Sequence, residues 1–230
     1  MKNDNGQASA RWRSLPVLLI AAGVTGWVLW ESQRVVRADF LSMRASRQVA
    51  EWVSGAVPPP STQDWQQAQA ALQAALAITP ENAALHEQLA DLHAVAGRRD
   101  WKDETLRAAH FRAAVAVYRM ALERRPTDPR TWASLAAAYQ GMGETGEPMR
   151  KAWDRALELG PNESHVQPML LEIALATWAS APPHVQRWAE AFFAGSAEGQ
   201  RKAINNLAAR YGLAFEVDPV SANEKTGLKP

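Results

Sequence analysis

The spacing of hydrophobic positions changes twice along this chain. From Leu15 to Trp30 they form one run, LPVLLIAAGVTGWVLW, without a charge. From residue 31 to about 210 they recur at helical spacing among polar positions, and after Val217 they thin out. As a helix, Leu15–Trp30 rises about 24 Å, or about 28 Å counted from Trp12, close to the ~30 Å hydrocarbon core of a bilayer. Trp12, Trp27 and Trp30 fall at its ends, where indole rings favour the membrane interface. Arg11 and Arg13 precede the run, and Glu31, Arg34 and Arg37 follow it. A cleaved signal peptide requires small residues three and one positions before the cut, and Trp27-Val28-Leu29-Trp30-Glu31 offers none. A buried globular helix would show a polar face, which is missing. The expectation is a polar tail over 1–13 and an uncleaved transmembrane signal anchor over 14–31. Lys2, Arg11 and Arg13 on one side nearly balance Arg34, Arg37, Arg44 and Arg47 on the other. The short tail and long following domain then favour a cytoplasmic N-terminus and an exported C-terminal domain.

Residues 31–54 predict a helix with Val36, Phe40, Met43, Ala50 and Val53 on one stripe, interrupted by Arg47. The proline-rich GAVPPP (residues 55–60) links it to a partner helix over Trp65–Ile78. The segment 32–60 is thus a juxtamembrane helix and its link. From 61 to 180 one signature occurs three times: a large residue, an Ala three positions later, and a Pro five positions after the Ala. The sets are Leu72, Ala75, Pro80; Tyr118, Ala121, Pro126; and Trp153, Ala156, Pro161. Each predicts an amphipathic helix stopped by a proline, which lacks an amide hydrogen and disfavours helical geometry in the residue before it. After each proline a polar residue or two opens another helix. Prolines 126 and 161 are 35 residues apart but prolines 80 and 126 are 46 apart, which marks an insertion between Gly97 and Ala114. The insertion is expected to lengthen the second helix of its pair and to form a polar protrusion. A long turn follows at Gly141–Pro148, GMGETGEP. Met169–Trp178 begins a further pair, Pro182-Pro183 ends it, and helices over 184–194 and 197–210 form a cap within 181–212. The remaining 213–230 is expected to be a flexible tail.

Composition narrows the function classes. Hydrophobic residues make up 47% and charged residues 21%, as in a folded protein. Alanine is abundant and β-branched runs are scarce, so the fold class is all-α. A net charge of +1 creates no field that would draw nucleic acid. With no cysteine there are no disulfides, thiolate metal sites or cysteine nucleophiles.

Trp132, Leu135, Ala136, Tyr139 and Gly143 resemble the first helix of a tetratricopeptide repeat (TPR). Leu89, Ala90, His93 and Gly97 resemble a second, weaker copy, and the three Ala–Pro pairs resemble the end of the second helix. The resemblance implies an antiparallel helix-pair solenoid behind one N-terminal transmembrane helix, with neighbouring repeats burying a common core. It also implies a concave groove for partner proteins, which by register presents Glu87, Gln88, Asp91, Arg130, Ser134 and Gln140. The basic set with which chaperone-binding members clamp C-terminal carboxylates is missing, and Glu87 and Asp91 carry the opposite charge. The layout, with MALERRPTDPRTWASLAAAYQGMG and KAWDRALELGPN behind a single anchor, resembles the VpsP-type proteins of exopolysaccharide biosynthesis. That resemblance implies a non-catalytic scaffold or assembly factor at the bacterial inner membrane, its C-terminal domain in the periplasm, beside polysaccharide polymerisation or export machinery. The alternative is an anchored accessory factor for maturation of exported proteins, of the cytochrome c assembly type.

The same residues hold only fragments of catalytic and cofactor motifs. His86-Glu87 begins like a zinc-protease helix, but Ala90 stands where the second histidine belongs. His93 is about 10 Å further along the helix, too far to share an ion, and occupies a core position of the repeat. Gly141-Met142-Gly143 lies between helices with no strand before it, which does not suit nucleotide binding. The expectation is therefore no enzyme activity, no cofactor and no metal, with other proteins as partners in a membrane complex. Arg98, Arg99, Asp100, Lys102, Asp103 and Glu104 mix signs, as a solvated face or a docking surface does.

Overall fold

The computed structural model describes the backbone of residues 5–215 and the side chains of residues 20–215. The described residues are all-helical, with α1 (Asn5–Ser54), α2 (Thr62–Ile78), α3 (Ala83–Arg99), α4 (Glu104–Arg124), α5 (Pro129–Gly141), α6 (Glu147–Leu159), α7 (Gln167–Ala176), α8 (Pro183–Gly195) and α9 (Glu198–Ala209). A single 3-10 turn, Trp178–Ser180, follows α7. The chain forms two compact units, residues 1–92 and 93–230. Across the proline link α2 packs on α1, so the helix expected over 31–54 and its expected partner over Trp65–Ile78 lie in one unit, and the boundary between the units falls within α3.

Among the described residues no helix is long and apolar enough to cross a membrane. The expected polar tail 1–13 and the first part of the expected anchor, residues 14–19, lie outside the described side chains. Of its remainder, Ile20–Trp30 is exposed helix within α1 and Glu31 is half-buried.

In the first unit, α1 ends on Gly55 at φ 72°, a left-handed position that glycine adopts without a Cβ penalty. The amide of Ala56 donates to the Glu51 carbonyl and that of Gly55 to the Trp52 carbonyl, the paired bonds of a Schellman stop. The face that α1 buries is not the expected one. Ala38, Ser42, Ala45 and Val49 are buried, whereas Val36, Phe40, Met43 and Ala50 are exposed and Val53 is half-buried. Small side chains let helix axes approach closely, and α1 meets its neighbours through them. Ser61 caps α2 by accepting from the Asp64 amide, and Trp65 Nε1 donates to the Leu92 carbonyl at 3.1 Å.

The three Ala–Pro signatures form three matching helix ends. Leu72, Tyr118 and Trp153 are almost fully buried, as are Ala75, Ala121 and Ala156. The alanine carbonyls accept from the amides of Thr79, Arg125 and Gly160, the residues just before each proline. Those residues leave the helix with φ −126°, −132° and −135°, away from the helical geometry that proline disfavours. Their carbonyls then accept from Asn82, Asp128 and Glu163, closing a turn around the proline. Six residues after each proline, a different side chain donates to that proline's carbonyl: His86 Nε2 at 2.9 Å, Trp132 Nε1 at 2.8 Å and Gln167 Nε2 at 2.8 Å. His86 is thus a buried structural residue whose Nε2 carries the proton, because a carbonyl can only accept.

In the second unit, the inserted residues extend both arms of a hairpin rather than one. Arg98 and Arg99 form the last turn of α3, and α4 runs for 21 residues where α5 and α6 have 13 each. The inserted Phe111 is buried against two glycines. A Cβ on Gly97 would lie 2.8 Å from its ring and one on Gly141 2.6 Å, so neither site has room for a methyl group. Beyond α6, Trp153 Nε1 donates to the Leu170 carbonyl, and the ring meets Trp188 edge-on at 5.3 Å. Asn205 pairs both ways with the backbone of Phe215, whose ring also stacks on Phe193. The described residues run to Phe215, three residues into the segment expected as a tail, and the rest of that segment, 216–230, lies outside them.

Candidate partner-binding surface

The sequence-predicted groove residues fall in both units. In the first, Glu87 and Asp91 are only 8% and 7% exposed, so they are packed side chains rather than an open acidic face. Gln88 is half-buried and accepts from Ser46 Oγ of α1 at 2.5 Å. Arg34 of α1 also pairs with Glu81, so α1 covers part of the face that α3 was expected to present. Charge reversal at Glu87 or Asp91 is accordingly a core perturbation, since burying a charge without its complement costs several kcal/mol. In the second unit, Arg130 is exposed, Ser134 is buried and Gln140 is half-buried. Gln140 lines a shallow cleft of about 310 Å³ with Trp101, Arg107 and Phe111.

A larger concavity lies between α4, α5 and α6. Its volume is about 630 Å³, with Leu122, Leu135 and Tyr139 as its apolar floor and Arg119, Glu123, Glu147 and Lys151 on its rim. It continues into a second cleft of about 640 Å³ through the shared residues Trp132, Glu147 and Lys151, reaching Arg150, Asp154 and Glu158 on α6. Helical spacing brings Trp132, Leu135 and Tyr139 onto one stripe of α5. Asp128 fixes the start of that helix by accepting from the amides of Arg130 and Thr131. The floor offers apolar burial and the rim offers both signs of charge. That combination suits an extended protein segment with mixed side chains better than a phosphate-bearing ligand, which selects for convergent cations. The resemblance to repeat consensus marked these α5 residues as core, and the cleft they line was not legible from it.

A polar network occupies the tip of the α3–α4 hairpin. Arg99 Nε and an Arg99 terminal nitrogen donate to the two Asp100 oxygens at 2.7 and 2.8 Å, which holds the Asp100 carboxyl below the usual range. His110 Nε2 lies 3.4 Å from Asp100. Burial lowers the His110 pKa, with Asp100 opposing the shift. Burial pushes His93 down to about 4, helped by the adjacent His110, whose ring centre is 6.0 Å away. His93 is therefore a neutral packed imidazole at physiological pH. Trp101 projects outward with Lys102 over its ring at 5.4 Å. Among the described residues, no three His, Asp or Glu side chains converge as a metal site. No protein-family model matches the chain, and no curated protein matches it.

Proposed function

We propose that this chain is a membrane-anchored scaffold of the tetratricopeptide type, holding partner proteins through the cleft on α4, α5 and α6. The observation that carries this proposal is the threefold recurrence of one helix end: a buried large residue, a buried Ala, a proline turn and a side-chain donor on the proline carbonyl. Repeats of that kind build stacked helix pairs whose exposed concavities receive extended chains. The anchor is supported by the uncharged stretch Ile20–Trp30, whose Ile20, Val24, Trp27, Val28, Leu29 and Trp30 side chains are exposed on α1. Exposed apolar side chains in so dense a run need a non-aqueous or protein surrounding. In this proposal the domain after the anchor is exported across a bacterial inner membrane and serves exopolysaccharide assembly.

Crosslinking of the tagged, full-length protein in its native membrane, read by mass spectrometry, tests the proposal. Capture of polysaccharide polymerase or export components supports it. Capture of haem-handling proteins or exported clients would replace polysaccharide assembly with maturation of exported proteins. A reporter active only outside the cytoplasm, fused after residue 215, is expected to be active. An inactive fusion beside an active cytoplasmic one would overturn the topology.

A further inference from the structure

The outward face of α1 carries an apolar stripe that no described residue of its own chain covers. Val36, Phe40 and Met43 are 65%, 76% and 55% exposed, although they are among the largest apolar residues of this segment. Their spacing is four and then three residues, and the same alternation passes back through Gln33 to the exposed Leu29. At about 100° per residue they occupy one narrow line, roughly opposite the buried Ala38, Ser42, Ala45 and Val49. Thus α1 is fully engaged with its own unit on one side and open on the other. A narrow stripe of alternating four-and-three spacing is the geometry of a seam between two nearly parallel helices.

Charge indicates which helix fits. With Phe40 as an a position, Val36 and Met43 are d positions, Asp39 is g and Arg44 is e. In a parallel pair of identical helices, each g residue faces the e residue five positions further along its partner. Asp39 of one copy then faces Arg44 of the other, twice by symmetry. Both side chains are exposed and neither forms an ion pair among the described residues, so both are available. An antiparallel pair would instead bring Arg37 of one copy toward Arg44 of the other. Arg47 at the next a position places like charges on the axis and ends the apolar contact after Met43. The seam also lies beyond the reach of lipid. Along a continuous helix Phe40 stands about 15 Å past Trp30, while the interfacial layer on each side of a bilayer is only about 5–8 Å thick.

We propose that Val36, Phe40 and Met43 form a parallel homodimer seam, with a second copy of this chain as the occupant and Asp39–Arg44 pairs fixing its direction. The parallel direction agrees with two chains anchored in one membrane, which is where this inference rests on the proposed anchor. The seam spacing and the charge pairing stand without it. A dimer would present two scaffold domains side by side, raising the effective concentration of whatever they bind.

The chain has no cysteine, so single cysteines report on the seam without background. The test uses full-length protein in native membranes and in mild detergent, with V36C, F40C and M43C as seam probes. V35C and L41C serve as controls, because Val35 and Leu41 are also exposed but off the seam. Under mild oxidation the three seam variants are expected to form covalent dimers and the two controls are not. The uncrosslinked protein is expected to have the mass of two 25.3 kDa chains. D39R should raise the dimer dissociation constant about tenfold, and adding R44D should restore it. Equal crosslinking at all five positions, absence of crosslinking, or a monomeric mass would overturn the seam. So would heterologous adducts from the seam variants without homodimer. An inserted monomer would sink the dimer and leave the anchored scaffold standing, whereas a dimer outside the membrane would sink the anchor and leave the seam standing.

Discussion

The helix ends of α2, α4 and α6 contrast with the outward face of α1, although all are amphipathic helices of one chain. At the helix ends, the largest side chains are innermost: Leu72, Tyr118 and Trp153 are buried beside Ala75, Ala121 and Ala156. In α1 the order is reversed, with small residues inward and Val36, Phe40 and Met43 outward. Hydrophobicity says that a face wants cover. It does not say that the cover comes from the same chain. Where an alanine and a proline follow the large residue, the helix packs on a neighbour in sequence: α2 on α1, and α4 and α6 on α5. On α1 the described residues leave the stripe exposed.

The widest separation between these regions should come from truncation. Trp153→Ala removes a buried indole and its hydrogen bond to Leu170, and is expected to cost about 3–5 kcal/mol in chemical denaturation of the second unit. Acid should act next, through His93. Its imidazole titrates near 6.5 when unfolded but only near 4 when folded. Between these values the unfolded chain holds the extra proton, so this stabilisation is whole above pH 6.5 and falls as pH drops toward 4. The loss should be on the order of 2 kcal/mol, allowing for partial exposure, and His93→Leu should flatten that part of the pH–stability curve.

Overpacking gives a smaller effect. Gly141→Ala places a methyl against the Phe111 ring and should cost about 1–3 kcal/mol by thermal melting. Combining it with Phe111→Leu should recover part of that loss; no recovery would mean that the glycine serves another purpose. Gln167→Ala deletes one donor to a proline carbonyl and should cost about 0.5–1.5 kcal/mol, with the turn otherwise intact. Phe40→Ala is expected to shift monomer unfolding by less than about 0.5 kcal/mol despite removing a whole phenyl ring. A loss as large as that of Trp153→Ala would show that Phe40 is covered within its own chain, and the contrast would fail.

Much of the helical order was legible because it rests on local rules. The prolines at 80, 126 and 161 forbid helix one residue earlier, so the ends of α2, α4 and α6 follow from steric exclusion. The helices expected over 184–194 and 197–210 likewise match α8 and α9 to within two residues. The candidate site was less legible. Gln140 and Arg130 are accessible in part, but Glu87, Asp91 and Ser134 are packed, because register tells which way a side chain leaves a helix and not what lies above it. The cleft on α5 went unseen for the same reason: Trp132, Leu135 and Tyr139 satisfy a core pattern while lining a concavity.

The sequence by itself determined that the chain is helical, where most helices stop, and which residues are buried at the three helix ends. Those outcomes depend on backbone sterics and on neighbours within a few positions. Only the tertiary structure decided that His86, Trp132 and Gln167 do one job. Three unlike side chains share no sequence signal, yet each brings an N–H within 3 Å of a proline carbonyl. It also decided that Phe111 fits between Gly97 and Gly141, and that α1 turns its small face inward. Such choices depend on the distance between helices, a quantity set by every packed side chain at once and by no local stretch alone.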